Sequence, residues 1–422
     1  MRRVPVKNLT ARIRSIRAFQ YKAFEDSLQL DLAPLTVIFG RNGSGKSVVT
    51  RLPLLVATAL RGEASSGPGL PLEARGLHFG TSLRSFRHGG DVERVRVEVA
   101  LQRADQSVVG LHLVIGKDPD STVNLPDQWI NECHLEGGEP WRVAWDSKSR
   151  CYREGDVDST VASFSGFIPR LQDRSAHRIA GMLRPAPSVV HLGAARDVGD
   201  DDFIASRPGV QFDVGLHGED TRRVLGSHYS ARRSETIEAV KHAVQRCVAI
   251  DLEFDEVSRG AVQATVVRAR PSRRETLLPL GELGTGLAHA LPVITQCAVV
   301  STAAPDDDVP GLIVCEEPEA HLHPQAQADM ADVVIDAALA GTDCLVETHS
   351  ETFVLRVRRR VAEGTLTPEQ VALYWVDDET ASTELRRLPV ASDGSVEDWP
   401  EGWFDSALDE VRAIHAAQRE GA

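Results

Sequence analysis

The chain has 422 residues, nearly three times the roughly 150 residues expected of one domain, so it can bury a sizeable core and divides into two or three structural units. Apolar residues make up 42% and charged residues 26% of the chain, which excludes a disordered or collagen-like protein. The 61 acidic residues exceed the 47 lysines and arginines, and the formal net charge is −14. A surface coated with nucleic-acid-binding charge is thereby excluded, and any contact with DNA requires a local basic patch.

The cysteines and the apolar segments predict a cytoplasmic protein without a membrane partner. The six cysteines form no CxxC pair, which favours a reducing compartment over a disulfide or zinc framework. The basic N-terminus lacks the continuous apolar core of a signal peptide. Residues 286–304 contain no Asp, Glu, Lys or Arg and are marginally long enough to span a bilayer. Because this stretch includes Pro292 and several polar side chains, a buried helix is favoured over a membrane span.

The strongest local signal is a glycine-rich loop between a strand and a helix. Leu35–Phe39 is a short, β-branched apolar run typical of a buried strand, and a complete GxxxxGK[ST] motif follows it. The glycines let backbone N–H groups surround a phosphate, the lysine carries charge to the β- and γ-phosphates, and the serine hydroxyl can bind Mg²⁺. Residues 48–60 are predicted to form a helix whose N-terminus faces the anion, with Pro53 near its start. The predicted nucleotide-binding residues are Gly40, Arg41, Asn42, Gly43, Ser44, Gly45, Lys46, Ser47 and Val48.

A second apolar run supplies the acids that such a loop needs. Residues 312–315 are predicted to form a buried strand ending in Glu316 and Glu317, at the end of a strand where α/β proteins bind ligands. Glu316 is predicted to hold Mg²⁺ with Ser47, directly or through water, and Glu317 to act as the general base. Glu316 follows Lys46 by 316 − 46 = 270 positions, so a substantial segment separates the two halves of the site.

Three further stretches resemble the ABC-type ATPases of the SMC, RecF and OLD group. The run EEPEAHLHP at 316–324 resembles their Walker B and D-loop segment, ETHS at 347–350 resembles their switch-histidine loop, and ELGTGL at 282–287 stands where the signature motif lies. The resemblance covers roughly residues 10–115 and 275–376. It departs from the family pattern in two places, because the signature lacks the usual serine and residues 79–91 contain no Q-loop glutamine.

The resemblance implies a Mg²⁺-dependent ATPase that works as a homodimer or a higher homo-oligomer. Two heads would pair head to tail, so that Gly284, Thr285 and Gly286 of one chain face the ATP bound to the other. His349 would contact the γ-phosphate and join Glu317 and Lys46 as a catalytic residue. Such stand-alone ATPases are associated with phage defence or DNA maintenance through an effector partner. OLD-type nucleases carry a Toprim domain after the switch histidine, but only 422 − 349 = 73 residues remain here, so no nuclease activity is expected.

The predicted fold class is α/β, a P-loop NTPase of ABC-ATPase head type with an N-terminal antiparallel β lobe and an inserted α/β lid. Alternating patterns between Val95 and Ile115 predict antiparallel strands, residues 118–160 a β-hairpin insertion, and residues 216–250 helices. The sequence shows no sustained heptad repeat, so a long coiled coil is not expected. The predicted units are residues 1–117 (P-loop and β lobe), 118–275 (lid or arm), 276–390 (signature, Walker B and switch histidine) and 391–422 (acidic tail).

Several functional alternatives stay open at this level. The chain is either an ATPase whose dimerisation cycle acts on DNA, or an ATP-gated scaffold with little hydrolysis that controls a partner nuclease or toxin. A transporter motor subunit is disfavoured, because no coupling surface is recognisable. His321 and His323 are assigned to loop packing rather than to a metal site, since no third ligand is apparent. Eight arginines form either a DNA-binding patch or scattered solvated charges: Arg222, Arg223, Arg232, Arg233, Arg268, Arg270, Arg273 and Arg274.

Overall fold

The molecule is described here from a computed structural model. The structure describes residues 11–62, 67–88, 93–117, 128–137, 140–155, 157–158, 161–171, 181–198, 203–205, 209–259, 262–272, 276–378 and 383–400. Arg273 and Arg274, and residues 401–422 of the predicted acidic tail, lie outside this part of the chain.

Strands dominate the first half of the chain and helices alternate with strands in the second. The strands are β1 Arg12–Phe19, β2 Leu28–Asp31, β3 Leu35–Gly40, β4 Glu73–Ala74, β5 Leu77–His78, β6 Arg94–Gln102, β7 Val108–Lys117, β8 Gln128–Glu136, β9 Trp141–Asp146, β10 Cys151–Glu154, β11 Val157–Asp158, β12 Val161–Ser165, β13 Ile168–Leu171, β14 Val189–Leu192, β15 Phe203–Ala205, β16 Ile250–Arg259, β17 Val262–Pro271, β18 Leu278–Pro279, β19 Leu312–Glu316, β20 Asp343–Thr348, β21 Val371–Asp377 and β22 Glu384–Leu388. The helices are α1 Lys46–Thr50, α2 Leu52–Arg61, α3 Thr221–Ser230, α4 Ser234–Val248, α5 Thr285–Ser301, α6 Pro324–Leu339 and α7 Glu351–Ala362.

A six-stranded sheet in the order β14-β19-β20-β3-β21-β22 forms the centre of the molecule. Its first five strands are parallel and β22 is an antiparallel edge. Leu35, Val37 and Phe39 of β3 point to a core shared with α4–α7, whereas Ile38 points to a core shared with α2 and the antiparallel sheet. Both faces of the sheet are therefore covered, which explains why its strands are continuous apolar runs.

An eight-stranded antiparallel sheet in the order β11-β10-β9-β8-β7-β6-β1-β2 packs beside it. Val95, Val97 and Val99 of β6 are buried, while the residues between them are at least partly exposed, as expected for a sheet with one face in the core and one in water. The predicted α/β head with a P-loop strand and an antiparallel β lobe is confirmed by these two sheets.

The predicted segment 118–275 is distributed over the molecule. Its strands β8–β11 continue the β lobe without a break in the sheet at residue 117, and β14 joins the edge of the central sheet beside β19. Helix α4 adds Ile237, Val240 and Val244 to the core of the central sheet, and a third sheet contains β15–β18. The boundaries of an inserted lid thus remain a prediction.

Two predicted helices differ from the observed ones in detail. The helix expected over residues 48–60 is divided at Arg51 into α1 and α2, with Pro53 in the first turn of α2, where a missing N–H does not cost a helical hydrogen bond. The apolar stretch at 286–304 is largely α5, which is buried in the core with Pro292 inside it. None of the helices in the described ranges combines the length and the apolar character needed to cross a bilayer.

Helix α7 provides a test of the core that covers the switch loop. Val357 is 0% exposed and Leu355, on the same helix, is 47% exposed. We expect Val357→Ala to lower the free energy of unfolding by about 2 kcal/mol, because it removes buried methyl groups and leaves a cavity. Leu355→Ala is the matched control and should change it by less than about 0.5 kcal/mol. Urea unfolding of both variants measures the difference, and equal effects would contradict the packing described here.

Candidate functional site

The glycine-rich loop follows β3 and leads into α1. Gly43 and Gly45 adopt left-handed backbone conformations, with φ of 80° and 99°, which residues with a Cβ atom rarely adopt. The Lys46 ammonium is buried and donates hydrogen bonds to the carbonyls of Gly40 (3.1 Å) and Arg41 (2.6 Å). Within the described residues, the buried Ser44 hydroxyl has no hydrogen-bond partner. The loop therefore holds an ammonium and an unsatisfied hydroxyl where a phosphate is expected.

Glu347 on β20 faces the serine that follows the lysine. Its carboxylate accepts hydrogen bonds from the hydroxyls of Ser47 (2.9 Å) and Thr50 (2.6 Å). Burial raises the pKa of Glu347, and the nearby charge of Glu316 adds to this increase. A hydroxyl beside a carboxylate is an all-oxygen donor set of the kind that Mg²⁺ prefers. The residues present thus fit Mg²⁺ at Ser47 and Glu347.

The carboxylate of Glu316, predicted as the second ligand of Mg²⁺, is bound by an arginine and lies close to a histidine. Arg51 donates from Nε (2.6 Å) and Nη2 (3.0 Å) to its two carboxylate oxygens, and Nε2 of His191 on β14 lies 3.1 Å from Oε1. Burial alone would raise the pKa of Glu316, but the hydrogen bonds from His191 and Arg51 prevail and lower it to about 2. Glu316 is therefore ionised and already strongly bonded in this structure.

Glu317, predicted as the general base, has a constrained backbone and an accessible side chain. Its φ of 47° is left-handed, and its N–H donates to the Glu347 carbonyl at 2.8 Å. Arg196 donates to the carbonyls of Glu316 (2.6 Å) and Glu317 (2.7 Å). A non-glycine residue with positive φ is held by its surroundings, and such residues concentrate at functional sites.

The carboxylate of Glu317 lies close to the predicted switch histidine. Glu317 Oε1 is 3.8 Å from His349 Nε2, and the two side chains are 39% and 32% exposed. Burial lowers the pKa of His349, and the positive charge of Lys46 lowers it further, so the imidazole is neutral at pH 7. Both Glu317 and Glu347 act on Lys46 electrostatically. The structure thus places the three predicted catalytic residues just after the C-terminal ends of the neighbouring strands β3, β19 and β20.

The Glu319 side chain is hydrogen-bonded to the switch-histidine loop. Its Oε1 accepts hydrogen bonds from the Thr348 hydroxyl (2.6 Å) and from the His349 N–H (3.1 Å). The side chain is buried, and this burial raises the pKa of Glu319. Glu319 thereby links the segment after Glu317 to the backbone of His349.

The predicted signature residues lie at the start of α5. Gly284 precedes the helix, and both it and Thr285 are exposed. A Cβ atom at Gly286 would come within 3.4 Å of the His321 carbonyl, so the signature contacts the loop that follows Glu319. His321 packs its ring 4.4 Å from that of His289, and His323 caps α6 by accepting the Gln325 N–H at 3.4 Å. These contacts agree with the loop-packing interpretation of the two histidines.

Most arginines of the hypothetical DNA patch have acidic partners. Arg233 binds Asp307 through two hydrogen bonds (3.0 and 2.8 Å), and Arg222 is buried. The other pairs are Arg223–Asp220, Arg232–Glu256, Arg268–Asp255 and Arg270–Glu253. Because each pair lies within the chain, these arginines present little net positive charge.

Motif analysis missed several residues that build the site. Glu347 stands immediately before Thr348-His349, and Arg51 lies four residues after Ser47, so the helical spacing could have placed Arg51 beside this serine. His191 and Arg196 belong to no local motif, and only the pairing of β14 with β19 brings them to the site.

Comparison with known families gives two matches along the chain. Residues 35–356 match the family model described as AAA domain, putative AbiEii toxin, Type IV TA system. Residues 366–414 match a model described as a protein of unknown function, DUF3696. No curated protein matches the sequence. The first match covers more than half of the chain and confirms the P-loop ATPase head that the motifs predict.

Solved structures of SMC heads are similar over most of the chain. The SMC head domain from Thermotoga maritima is 13% identical with a TM-score of 0.43, and the match covers 90% of this chain and 99% of that chain. An Smc head domain with an extended coiled coil, bound to the C-terminal domain of ScpA and derived from Pyrococcus furiosus, is 10% identical with a TM-score of 0.47, covering 96% and 100%.

Proposed function

The chain belongs to the family of AAA domains described as putative AbiEii toxins of type IV toxin–antitoxin systems, and on this premise we propose that it is a Mg²⁺-dependent ATPase that pairs with a second copy on binding ATP. The observation that carries the proposal is the convergence of Lys46, Glu317 and His349 beside the Ser47–Glu347 pair. Each of these groups has a distinct task in transferring a phosphoryl group to water.

The residues of this chain divide the chemistry as follows. Lys46 exchanges its bonds to the Gly40 and Arg41 carbonyls for phosphate oxygens. Glu317 orients the attacking water and accepts its proton. The neutral His349 donates a hydrogen bond to the charge that develops on the γ-phosphate. Mg²⁺, when held by Ser47 and Glu347, neutralises charge on the phosphates. Glu316 would interact with Mg²⁺ through a water molecule, because Arg51 and His191 already bind its carboxylate oxygens.

Pairing of two heads is proposed from the exposed signature. Gly284 and Thr285 are open to solvent at the start of α5, and a Cβ at Gly284 would meet no atom within 4 Å. This leaves room for a phosphate held by the partner's P-loop. ATP between the surfaces would then favour the paired state to the extent that it binds the pair more tightly than the separate chains.

We also propose a biological role in anti-phage defence or DNA maintenance, with a protein effector; the description of the family as a putative toxin of a type IV toxin–antitoxin system supports the defence role. An alternative is an ATP-gated scaffold with little hydrolysis that controls a partner nuclease or toxin. The absence of the usual signature serine and the strong Arg51–Glu316 pair favour slow turnover. Steady-state ATP turnover of the chain alone and with the products of neighbouring genes separates the two, since brisk turnover alone contradicts the scaffold.

Lys46→Ala tests nucleotide binding itself. We expect it to weaken ATP binding about 10- to 100-fold, because a hydrogen bond to a charged group contributes roughly 1.5–3 kcal/mol. Titration of a fluorescent ATP analogue measures the affinity, and circular dichroism confirms the fold. Lys241→Ala is the control, since Lys241 lies on α4 and pairs with Glu238 at 3.1 Å. Equal affinities of Lys46→Ala and the parent protein would contradict the proposed function.

A further inference from the structure

A second group of metal-ligating side chains lies on the solvent face of the β lobe, on strands that the P-loop does not include. His112 on β7 is directly opposite Glu98 on β6 and His134 on β8. Glu136 on β8 is opposite Gly110 on β7. Side chains directly opposite each other on one face of an antiparallel sheet are neighbours, so strand pairing places two imidazoles and two carboxylates together.

The distances within this cluster suit a single ion. His112, His134 and Glu136 each offer one ligand atom, and these atoms all lie within 4.8 Å of one another. Glu136 is 3.6 Å from both imidazoles, and Glu98 Oε1 is 3.6 Å from His112 Nδ1. Ligand atoms about 2.0–2.1 Å from a tetrahedral ion are roughly 3.3 Å apart, so small side-chain movements close the site.

The backbone leaves room over the cluster. A Cβ atom at Gly110 would lie 3.4 Å from His112 Nε2 and 3.5 Å from a carboxylate oxygen of Glu136, so a branched side chain there would fill the space between the two ligands. A cavity of about 400 Å³ opens beside them and is lined in part by Arg17, Glu98 and Glu136. The two imidazole rings lie on the same face with their centroids 5.5 Å apart.

We propose that His112, His134 and Glu136 form a Zn²⁺ site that ties β7 and β8 together, while Glu98 on β6 faces the other ring nitrogen of His112 and orients that imidazole. Two imidazoles with carboxylates favour Zn²⁺, whereas Mg²⁺ and Ca²⁺ prefer oxygen ligands alone. The site is independent of the nucleotide site, and neither the family description nor the ATPase chemistry requires it.

Zinc titration of the full-length chain without a histidine tag tests the proposal. The protein is stripped with a chelator, dialysed, and titrated with ZnCl₂ by calorimetry in the absence of nucleotide. We expect one Zn²⁺ per chain, an increase in melting temperature on binding, and at least a tenfold weaker affinity in His112→Ala and in His134→Ala. Absence of stoichiometric binding, or binding in either variant as tight as in the parent protein, would overturn the site.

Two further variants separate a built site from surface adsorption. His78→Ala is the matched control, because His78 also faces a carboxylate, that of Glu73, at 3.7 Å but belongs to no three-ligand cluster in the described residues. It should bind Zn²⁺ as the parent protein does. Gly110→Val keeps all three ligands and fills the space between His112 and Glu136, so it should also weaken binding at least tenfold. If the histidine variants fail to fold, this variant decides the question.

Discussion

Glu317→Gln is expected to reduce ATP hydrolysis by about 10²- to 10⁴-fold while leaving ATP binding intact, because the amide cannot accept the proton of the attacking water. The substitution conserves the shape of the side chain. The hydrogen bonds of residue 317 to Glu347 and Arg196 involve only backbone atoms of residue 317 and should persist. An ATP-bound state that cannot turn over should accumulate.

Two measurements together check this expectation. Steady-state phosphate release gives the loss of turnover, and size-exclusion chromatography with ATP shows whether the variant elutes as a pair of chains. Glu363→Gln is the control, because Glu363 lies at the end of α7, where Arg359 and Arg360 bind it. Hydrolysis by Glu317→Gln at the rate of the parent protein would remove Glu317 from the mechanism.

Glu316→Gln is expected to lower the free energy of unfolding by about 3 kcal/mol at pH 7, because Arg51 and the buried His191 lose a charged acceptor. The folded protein lowers the pKa of Glu316 from 4.5 to about 2, and each pKa unit corresponds to roughly 1.4 kcal/mol. Removing one member of a buried ion pair costs about 3–5 kcal/mol in other proteins. Arg51 is 35% exposed, which places the expected loss at the lower end of that range.

The pH dependence of this difference has a defined sign. A carboxylate with a lowered pKa stabilises the folded state fully above its unfolded pKa of about 4.5, and this contribution disappears as the pH falls through about 2. The difference in unfolding free energy between the parent protein and Glu316→Gln should therefore shrink between pH 4.5 and pH 2. Urea unfolding at several pH values measures it.

Glu319→Gln is the matched control three residues away. Burial raises the pKa of Glu319, so its ionisation above pH 4.5 opposes folding rather than supporting it. The Gln amide oxygen can still accept the bonds from Thr348 and His349. We expect unchanged or slightly higher stability at pH 7. If both substitutions cost the same, the loss at Glu316 would reflect packing and not its charge.

The local motifs were sufficient to predict the P-loop and its neighbours. Apolar runs of five or six residues can be buried on both faces only inside a covered parallel sheet, and glycines with positive φ form the phosphate loop. These features predicted residues Gly40–Val48 and, at the end of a strand, Glu317, whereas His349 was predicted from the resemblance to the ABC-type ATPases of the SMC, RecF and OLD group. Pro53 indicated an irregularity near the start of the predicted helix but did not give the position of the break between α1 and α2. Proline is tolerated in the first turn of a helix, so it does not mark the exact residue at which a helix begins.

The order and register of the strands decided which carboxylate faces Ser47, the serine predicted to bind Mg²⁺. In the central sheet β20 lies between β19 and β3, and Glu347 is opposite both Glu316 and Ile38. Glu347 therefore accepts a hydrogen bond from Ser47. Glu316 lies one strand further away and interacts with Arg51 and His191 instead. No local pattern encodes the order of parallel strands, because residues far apart in the chain determine it.

The sequence alone thus determined the chemistry that we propose, since the residues predicted to bind phosphate and to activate water lie in short motifs whose conformations depend mainly on their own glycines and apolar runs. The tertiary structure decided which side chains complete the site. It brought Arg51 and His191 to Glu316 and placed Arg196 where it donates to the Glu317 carbonyl. It also placed His112 and His134 side by side on the β lobe. These juxtapositions result from long-range strand pairing, which composition and spacing do not reveal.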